Sequence, residues 1–387
     1  MKKILAGAAI LSLLLSGCSP TDQPKKQAET PSQPSLIQAE QISKTTIAPS
    51  LDERSYEIFD ALFQKQDKNK NFIVSPLSIQ RTLDLIALCT DERNDFAALG
   101  IYDQNDLQKM DLSNSKMESL LLLSQDQFSD TPKIPFDNVK LTEFPESATK
   151  EKLALQERVL GEVLDKTPVK DESKFVFFDA IRYYSEWISP FDESQTFDRL
   201  FTTADGRQVM TPRMFREFDS SAYVDEEKEV FALYGKNDAT VYFIKPLKDG
   251  QPDLSQAVKD HDEHALSAIV EFSMPKLEFR SDIDLSESFD MLDLGILNKE
   301  FRLEKLFPDL PLYLTSAKQN VMLRIDEKGA EAKAITSIDG NAIKAIKDRI
   351  EIHMDSPYYI VLTDLEKNSQ QKVVTFIAYV ADPTLKK

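Results

Sequence analysis

The hydrophobic period changes once along this chain, near Lys174, from the three-and-four spacing of amphipathic helices to the short apolar runs of strands. A helix-rich front and a strand-rich back predict an α+β fold, because interleaved βαβ units would alternate the two periods throughout. Before the switch, Tyr56, Phe59, Leu62 and Phe63 recur at helical spacing, and Ile79, Leu83 and Ile86 follow Ser75-Pro76, a helix-start pair. A third helix is expected from Ala148 to Asp165, after an apolar run Leu120–Leu123 among acidic turns. Beyond the switch, strands are predicted at Phe175–Phe178, Val241–Ile244, Ala268–Phe272 and Val321–Ile325. Two more, Tyr358–Leu362 and Val373–Val380, flank the polar turn Glu366–Gln370. No internal repeat is visible, which removes solenoids and propellers.

The first fifty residues stand apart. Met1, Lys2 and Lys3 precede the apolar run Ile4–Leu15, too short to remain as a membrane span and read as an export signal over residues 1–17. Its end, Leu15-Ser16-Gly17-Cys18, resembles a bacterial lipobox, which implies that Cys18 becomes an acylated first residue in a lipid membrane. A plain secretory signal that contains a cysteine is the other reading. Residues 18–50 are rich in Pro, Gln, Ser and Thr and bury too little to order themselves, so they are expected to be a tether before a domain at 51–387. Ser19, where an Asp would retain the protein at the inner membrane, points to a lipid-anchored place in the bacterial envelope, on the outer membrane, periplasmic or surface-exposed.

Composition closes several routes to function. With 47 Lys+Arg against 65 Asp+Glu the net charge is −18, which excludes a nucleic-acid-binding surface. Ten glycines and no Gly-x-Ser-x-Gly or Cys-x-x-Cys turn leave neither a phosphate loop nor a nucleophile elbow. Only two cysteines occur, and Cys89 lies within the apolar pattern Leu83, Ile86, Leu88, as a buried structural thiol does. His261-Asp262-Glu263-His264 lacks the order of a zinc-protease helix and reads as an acidic, solvated helix end. No enzyme, cofactor or metal is expected.

Several segments, in order, resemble the serpin family. They are Asn71-Phe72-Ile73-Val74-Ser75-Pro76-Leu77-Ser78-Ile79, Asp179 to Trp187 with Pro190-Phe191-Asp192, Met274-Pro275-Lys276-Leu277 and Leu294-Gly295-Ile296. The series continues in Ile325-Asp326-Glu327-Lys328-Gly329-Ala330-Glu331-Ala332, similar to a reactive-loop hinge, and closes in a tail from Pro357-Tyr358 through Phe376 to Pro383, similar to the family's terminal hairpin. The resemblance implies helices around a main five-stranded mixed β-sheet, a second smaller sheet or barrel, and an exposed reactive-centre loop at about 327–350. It also implies a monomeric inhibitor of a target protease, of the serine or the cysteine type, that is cleaved in the loop and traps the protease as the loop enters the sheet. A non-inhibitory lipoprotein keeping the fold as a binding or structural module is the alternative. Between Cys89 and Asp179 the chain is some tens of residues shorter than the family pattern.

The hinge also reads physically. From Gly329, which suits a pivot, Ala330, Ala332, Ala334 and Thr336 share one strand face with Ile338, while Glu331, Lys333, Ile335 and Ser337 share the other. Small uncharged residues on the inward face suit a strand that must slip between packed neighbours. Lys333 and Ile335 depart from the family's small residues, on the outward face. Counting from the hinge places the scissile bond at Ile343-Lys344, and counting back from Pro357 places it near Ile346-Lys347. A basic residue before the bond would suit a trypsin-like pocket and an isoleucine an apolar one; a third reading is that the lysines only keep the loop soluble. By position the resemblance also implies a sheet-closing cluster of Ser75, Ser78, Asp179 and Gln319, and a Lys276–Glu327 ion pair at the top of the sheet, expected to be exposed and weak.

Overall fold

In chain order the elements are α1 (Leu51–Gln64), β1 (Phe72–Val74), α2 (Pro76–Leu88), α3 (Asp106–Lys109), β2 (Ser115–Ser124), β3 (Val139–Thr142), α4 (Glu146–Leu160), β4 (Phe175–Tyr183) and β5 (Ser185–Glu186). They continue with β6 (Phe197–Thr202), β7 (Gln208–Val224), β8 (Lys228–Tyr234), β9 (Thr240–Pro246), α5 (Leu254–His264), β10 (Leu266–Pro275) and β11 (Leu277–Asp284). The last are β12 (Lys318–Ile325), β13 (Gly329–Ala330), β14 (Arg349–His353), β15 (Tyr358–Leu365) and β16 (Lys372–Val380). The computed structural model describes residues 50–90, 106–128, 134, 136–285, 303–306, 318–330 and 348–386.

Local chemistry sets the helix ends. Ser50 caps α1 in a reciprocal box, its Oγ accepting from the Glu53 N–H at 3.2 Å while Glu53 accepts from the Ser50 N–H at 2.8 Å. Ser75 caps α2 and Pro76 opens it, so the predicted start is where the helix begins. Helix α4 stops at Leu160, short of the Asp165 expected from the pattern, because Gly161 takes a left-handed φ of 81°. The segment beyond folds back onto the helix: Gln156 Oε1 accepts from the Leu164 and Asp165 N–H groups.

The largest sheet runs β1-β16-β15-β9-β8-β7-β10-β14, with β6 also paired to β7. Its central strands are buried on both faces: Tyr242 and Ile244 join one apolar cluster, Val241 and Phe243 the other. That is why their sequences read as unbroken apolar runs. On one side α1 packs Phe59 and Phe63 edge-on or tilted against Tyr359 and Tyr379.

The other five long strands form two blocks, β3-β2-β4 and β12-β11, with no ladder joining β4 to β12. On one face of the first block α4 packs Leu155 and Val159 against Leu120, Leu122 and Ala180. On the opposite face Ile181 and Tyr183 of β4, with Val321, Leu323 and Ile325 of β12, join the core. The expected five strands of the main sheet are therefore present, parted along the middle.

Candidate functional site

At the end of β12 the chain reverses through Asp326-Glu327-Lys328-Gly329. The Asp326 N–H donates to the Gly329 carbonyl at 3.1 Å, and Asp326 Oδ1 accepts from the Lys328 N–H at 2.9 Å. Gly329 and Ala330 then pair antiparallel with Glu186 and Ser185. The first rung of a new strand thus already lies against β5. Only glycine fits at its head, since φ is 151° and a Cβ would sit 2.4 Å from the Ser185 carbonyl oxygen.

The reversal is clamped from the side. Trp187 donates its backbone N–H to the Lys328 carbonyl at 3.1 Å and its indole Nε1–H to the Asp326 carbonyl at 3.1 Å, and the Phe191 N–H donates to the Glu327 carbonyl at 2.8 Å. Glu327 itself is 5% exposed. Its carboxylate accepts from Lys276 Nζ at 2.8 Å and from the Thr196 hydroxyl at 2.9 Å. The pair expected to be exposed is in fact buried on its acidic side, with Thr196 as an unforeseen third member.

Burial alone would raise the Glu327 carboxyl, yet Lys276, the residue's own backbone and Thr196 together hold it below the ordinary glutamate value. A carboxyl depressed by folding contributes stability above its unfolded pKa, and that contribution is lost as pH falls through the lower folded value. Glu327→Gln should therefore lower stability by about 1–2 kcal/mol at neutral pH and by clearly less at about pH 2, well below the unfolded value. Urea titrations at the two pH values check this; equal losses at both would detach the pair from the turn.

Between β4 and β12 lies a slot of about 580 Å³, bordered by residues of α2 and α4 and reaching Leu362 and Phe376. Of the four expected cluster residues, the structure joins Ser75 and Gln319. The Ser75 N–H donates to Gln319 Oε1 at 3.0 Å, and Gln319 Nε2 donates to the Ser75 carbonyl at 2.9 Å. Ser78 joins through its N–H, 3.3 Å from Ser75 Oγ, while that hydroxyl donates to the Thr375 carbonyl at 2.8 Å.

Asp179 is held elsewhere. Its Oδ1 accepts from Arg81 Nε at 2.9 Å and from the Ser119 hydroxyl at 2.5 Å, and both charged side chains are at most 3% exposed. The expectation of a single four-residue cluster is thus corrected to two groups. A carboxylate carries a full charge into the interior, and a buried charge is drawn to a countercharge, here Arg81. Asp179 Oδ2, buried and bordering the slot, has no hydrogen-bond partner. Asp179→Ala would strand the Arg81 guanidinium and should cost about 3–5 kcal/mol, whereas Asp179→Asn, which keeps an acceptor, should cost clearly less. Chemical denaturation of both variants measures the difference, and an unchanged midpoint in Asp179→Ala would remove the pair from any role in holding the sheet.

Cys18, Ala332, Ala334, Thr336, Ile343, Lys344, Ile346 and Lys347 lie outside the described residues. Cys89 is fully buried, and burial pushes its thiol up to about 12, so it is inert as a nucleophile. His261 is buried beside Asp262, whereas the His264 side chain is 63% exposed, so the two imidazoles do not converge. Arg81, Ser119, Thr196 and Thr375 were not singled out by sequence. Of these only Arg81 left a trace, a charge three residues after Ser78 and three before Asp84 in a mostly apolar helix.

A family profile described as Serpin (serine protease inhibitor) matches residues 147–383. The chain is 24% identical over 200 residues to Antitrypsin of Bombyx mori, covering 48% of this chain and 51% of that protein. It is 22% identical over 381 residues to Serpin A3-2 of Bos taurus, covering 88% and 90%. The match to the first curated relatives spans about half of their length. Among solved structures, human thyroxine-binding globulin complexed with its ligand superposes with a TM-score of 0.70 at 20% identity, over 87% of this chain and 100% of that one. Tengpin, a thermophilic serpin in its native state, gives 0.68 at 18% identity, over 89% and 96%.

Proposed function

Because this chain belongs to the serpin family, we propose that it inhibits a target protease by offering its reactive loop as substrate and inserting the cut loop between β4 and β12. The observation that carries this reading is the open slot with its first rung in place: β13 already pairs with β5 at the top. Serpin loop insertion is itself a known case of strand addition to a sheet, and this slot offers two unpaired edges instead of one.

Register supports the same reading. Continued downward, the β13–β5 pairing sets Ala332 opposite Tyr183, Ala334 opposite Ile181 and Thr336 opposite Asp179. On the other flank, the bridge between Asp326 and Gly329 continues to Ala332 opposite Leu323, Ala334 opposite Val321 and Thr336 opposite Gln319. The small residues would thus meet the core-facing residues of both neighbours. The Thr336 hydroxyl would arrive between Gln319 and Asp179, whose Oδ2 lacks a partner. Ile335, opposite Ala180, would enter the layer where α4 supplies Leu155 and Val159.

In the proposed reaction the protease nucleophile bonds to the scissile carbonyl carbon, the peptide C–N bond breaks, and the leaving amine takes a proton from the protease's general acid. Insertion then drags the acylated protease away before water can release it. A serine protease is the proposed target. Incubation with trypsin-, elastase- and subtilisin-like proteases, followed by denaturing electrophoresis, should reveal an adduct that survives denaturation; clean cleavage by every protease with no adduct would overturn the reading.

One feature favours the second reading, a non-inhibitory binding module. The register sets Lys333 opposite Arg182, and like charges facing each other across strands oppose pairing. Insertion slower than hydrolysis would leave a substrate. Anchoring at Cys18 in the bacterial envelope, by a tether over residues 18–50, completes the proposal; Cys18→Ala should move the protein from the membrane to the soluble fraction, and an unchanged membrane fraction would rule the anchor out.

A further inference from the structure

On the face of the large sheet opposite the core residues Met214, Phe272, Met274 and Ile352, strands β6, β7, β10 and β14 enclose a pocket of about 410 Å³. This is within the range of about 300–1,000 Å³ typical of small-molecule sites. Pairing brings its walls together: Phe197 lies opposite Arg213, and Ser273 lies between Phe215 and His353.

The pocket's positive charge is not fully matched among the described residues. Arg213 donates through Nη2 to the Leu200 carbonyl, but its Nε is buried with no hydrogen-bond partner. Burial first, and the neighbouring Arg199 as well, make its charge unfavourable, only partly offset by Asp355 and Tyr358. Arg199 has no ion pair among the described residues. Among the described residues the carboxylate that lines the pocket, Glu271, is already taken by Arg349 at 2.5 Å. Two guanidiniums with no anion between them among the described residues, on a chain of net charge −18, leave room for a counter-charge brought by a ligand.

The remaining lining fits one ligand class. Phe197, 51% exposed, and Phe215 offer aromatic walls. The Ser273 hydroxyl and His353 Nδ1 are 2.9 Å apart. That spacing occurs in nucleophile–base pairs, but Ser273 is only 4% exposed, and among the described residues the carboxylate in ion-pair range of His353 is Glu351, 3.9 Å from Nε2 and itself 71% exposed. The pair therefore serves binding, not acyl transfer. We propose that this pocket binds an aromatic monocarboxylate, its carboxylate held between Arg199 and Arg213 and its ring against Phe197 and Phe215.

Titration calorimetry of the full chain with 2-naphthoate, its neutral analogue 2-naphthamide and inorganic phosphate tests this. Saturable one-to-one binding of 2-naphthoate is expected, with the amide at least about tenfold weaker and phosphate without the ring weaker still. Arg199→Gln and Arg213→Gln should each weaken 2-naphthoate by about tenfold. Arg199 is on the surface, so its variant keeps the test decisive even if Arg213→Gln fails to fold. Absence of saturable 2-naphthoate binding, equal binding of acid and amide, or an Arg199→Gln affinity within about twofold of the parent would overturn the assignment.

Discussion

Cut once at Ile343-Lys344 and left to relax, the protein should melt at least about 5 °C above the intact chain. The two inner edges of β4 and β12 each present a row of backbone donors and acceptors that the other does not meet. A strand entering between them finds partners on both sides and closes the space over Leu362 and Phe376. Net hydrogen bonds contribute about 1 kcal/mol each, but ordering the backbone costs about the same per residue. Burial of the apolar faces of Ala332, Ala334 and Ile338 decides the sign. A net gain of about 5 kcal/mol in a domain of this size corresponds to roughly 7 °C. Differential scanning calorimetry of clipped and intact protein measures it directly, and coincident melting curves would mean that the intact fold holds no excess free energy for a trap to use.

The second large effect concerns the inward face of the same strand. Ala332→Arg should abolish the denaturant-resistant adduct while leaving the loop cleavable. In the proposed register this position meets Tyr183 and Leu323, both packed against the core, so a guanidinium would have to be desolvated there without a countercharge. The barrier to insertion rises by several kcal/mol, enough to slow it by more than about a hundredfold, and hydrolysis then completes first. Lys333→Glu is the outward-facing control: replacing a like charge opposite Arg182 by an opposite one should raise the ratio of adduct to cleaved product. If Ala332→Arg traps protease as well as the parent does, the strand enters in another register or not at all.

Sequence patterning located the elements whose packing is one-sided or strongly capped. Helix α1 with its Ser50 box, α2 behind Pro76, and the β15–β16 hairpin all lie where the pattern places them. By contrast, the 17-residue β7 and its partner β6 gave little signal, because exposed Phe197, Leu200 and Met210 are interspersed with polar residues. The division of the expected cluster was illegible for another reason. Asp179 is bound to Arg81 and Ser119, which lie 98 and 60 residues away in sequence, and nothing local marks a charge as paired. The β6–β14 pocket was equally hidden, since it draws its walls from four strands scattered over the chain.

Trp187 is the only tryptophan in the protein, and its indole N–H is bonded to the carbonyl at the start of the Asp326–Gly329 reversal. The molecule therefore has a built-in optical gauge at the point where a moving loop would have to pivot. Emission can be followed in stopped flow on unlabelled protein, and the time course after mixing with a protease would separate the cutting of the loop from the motion that follows it.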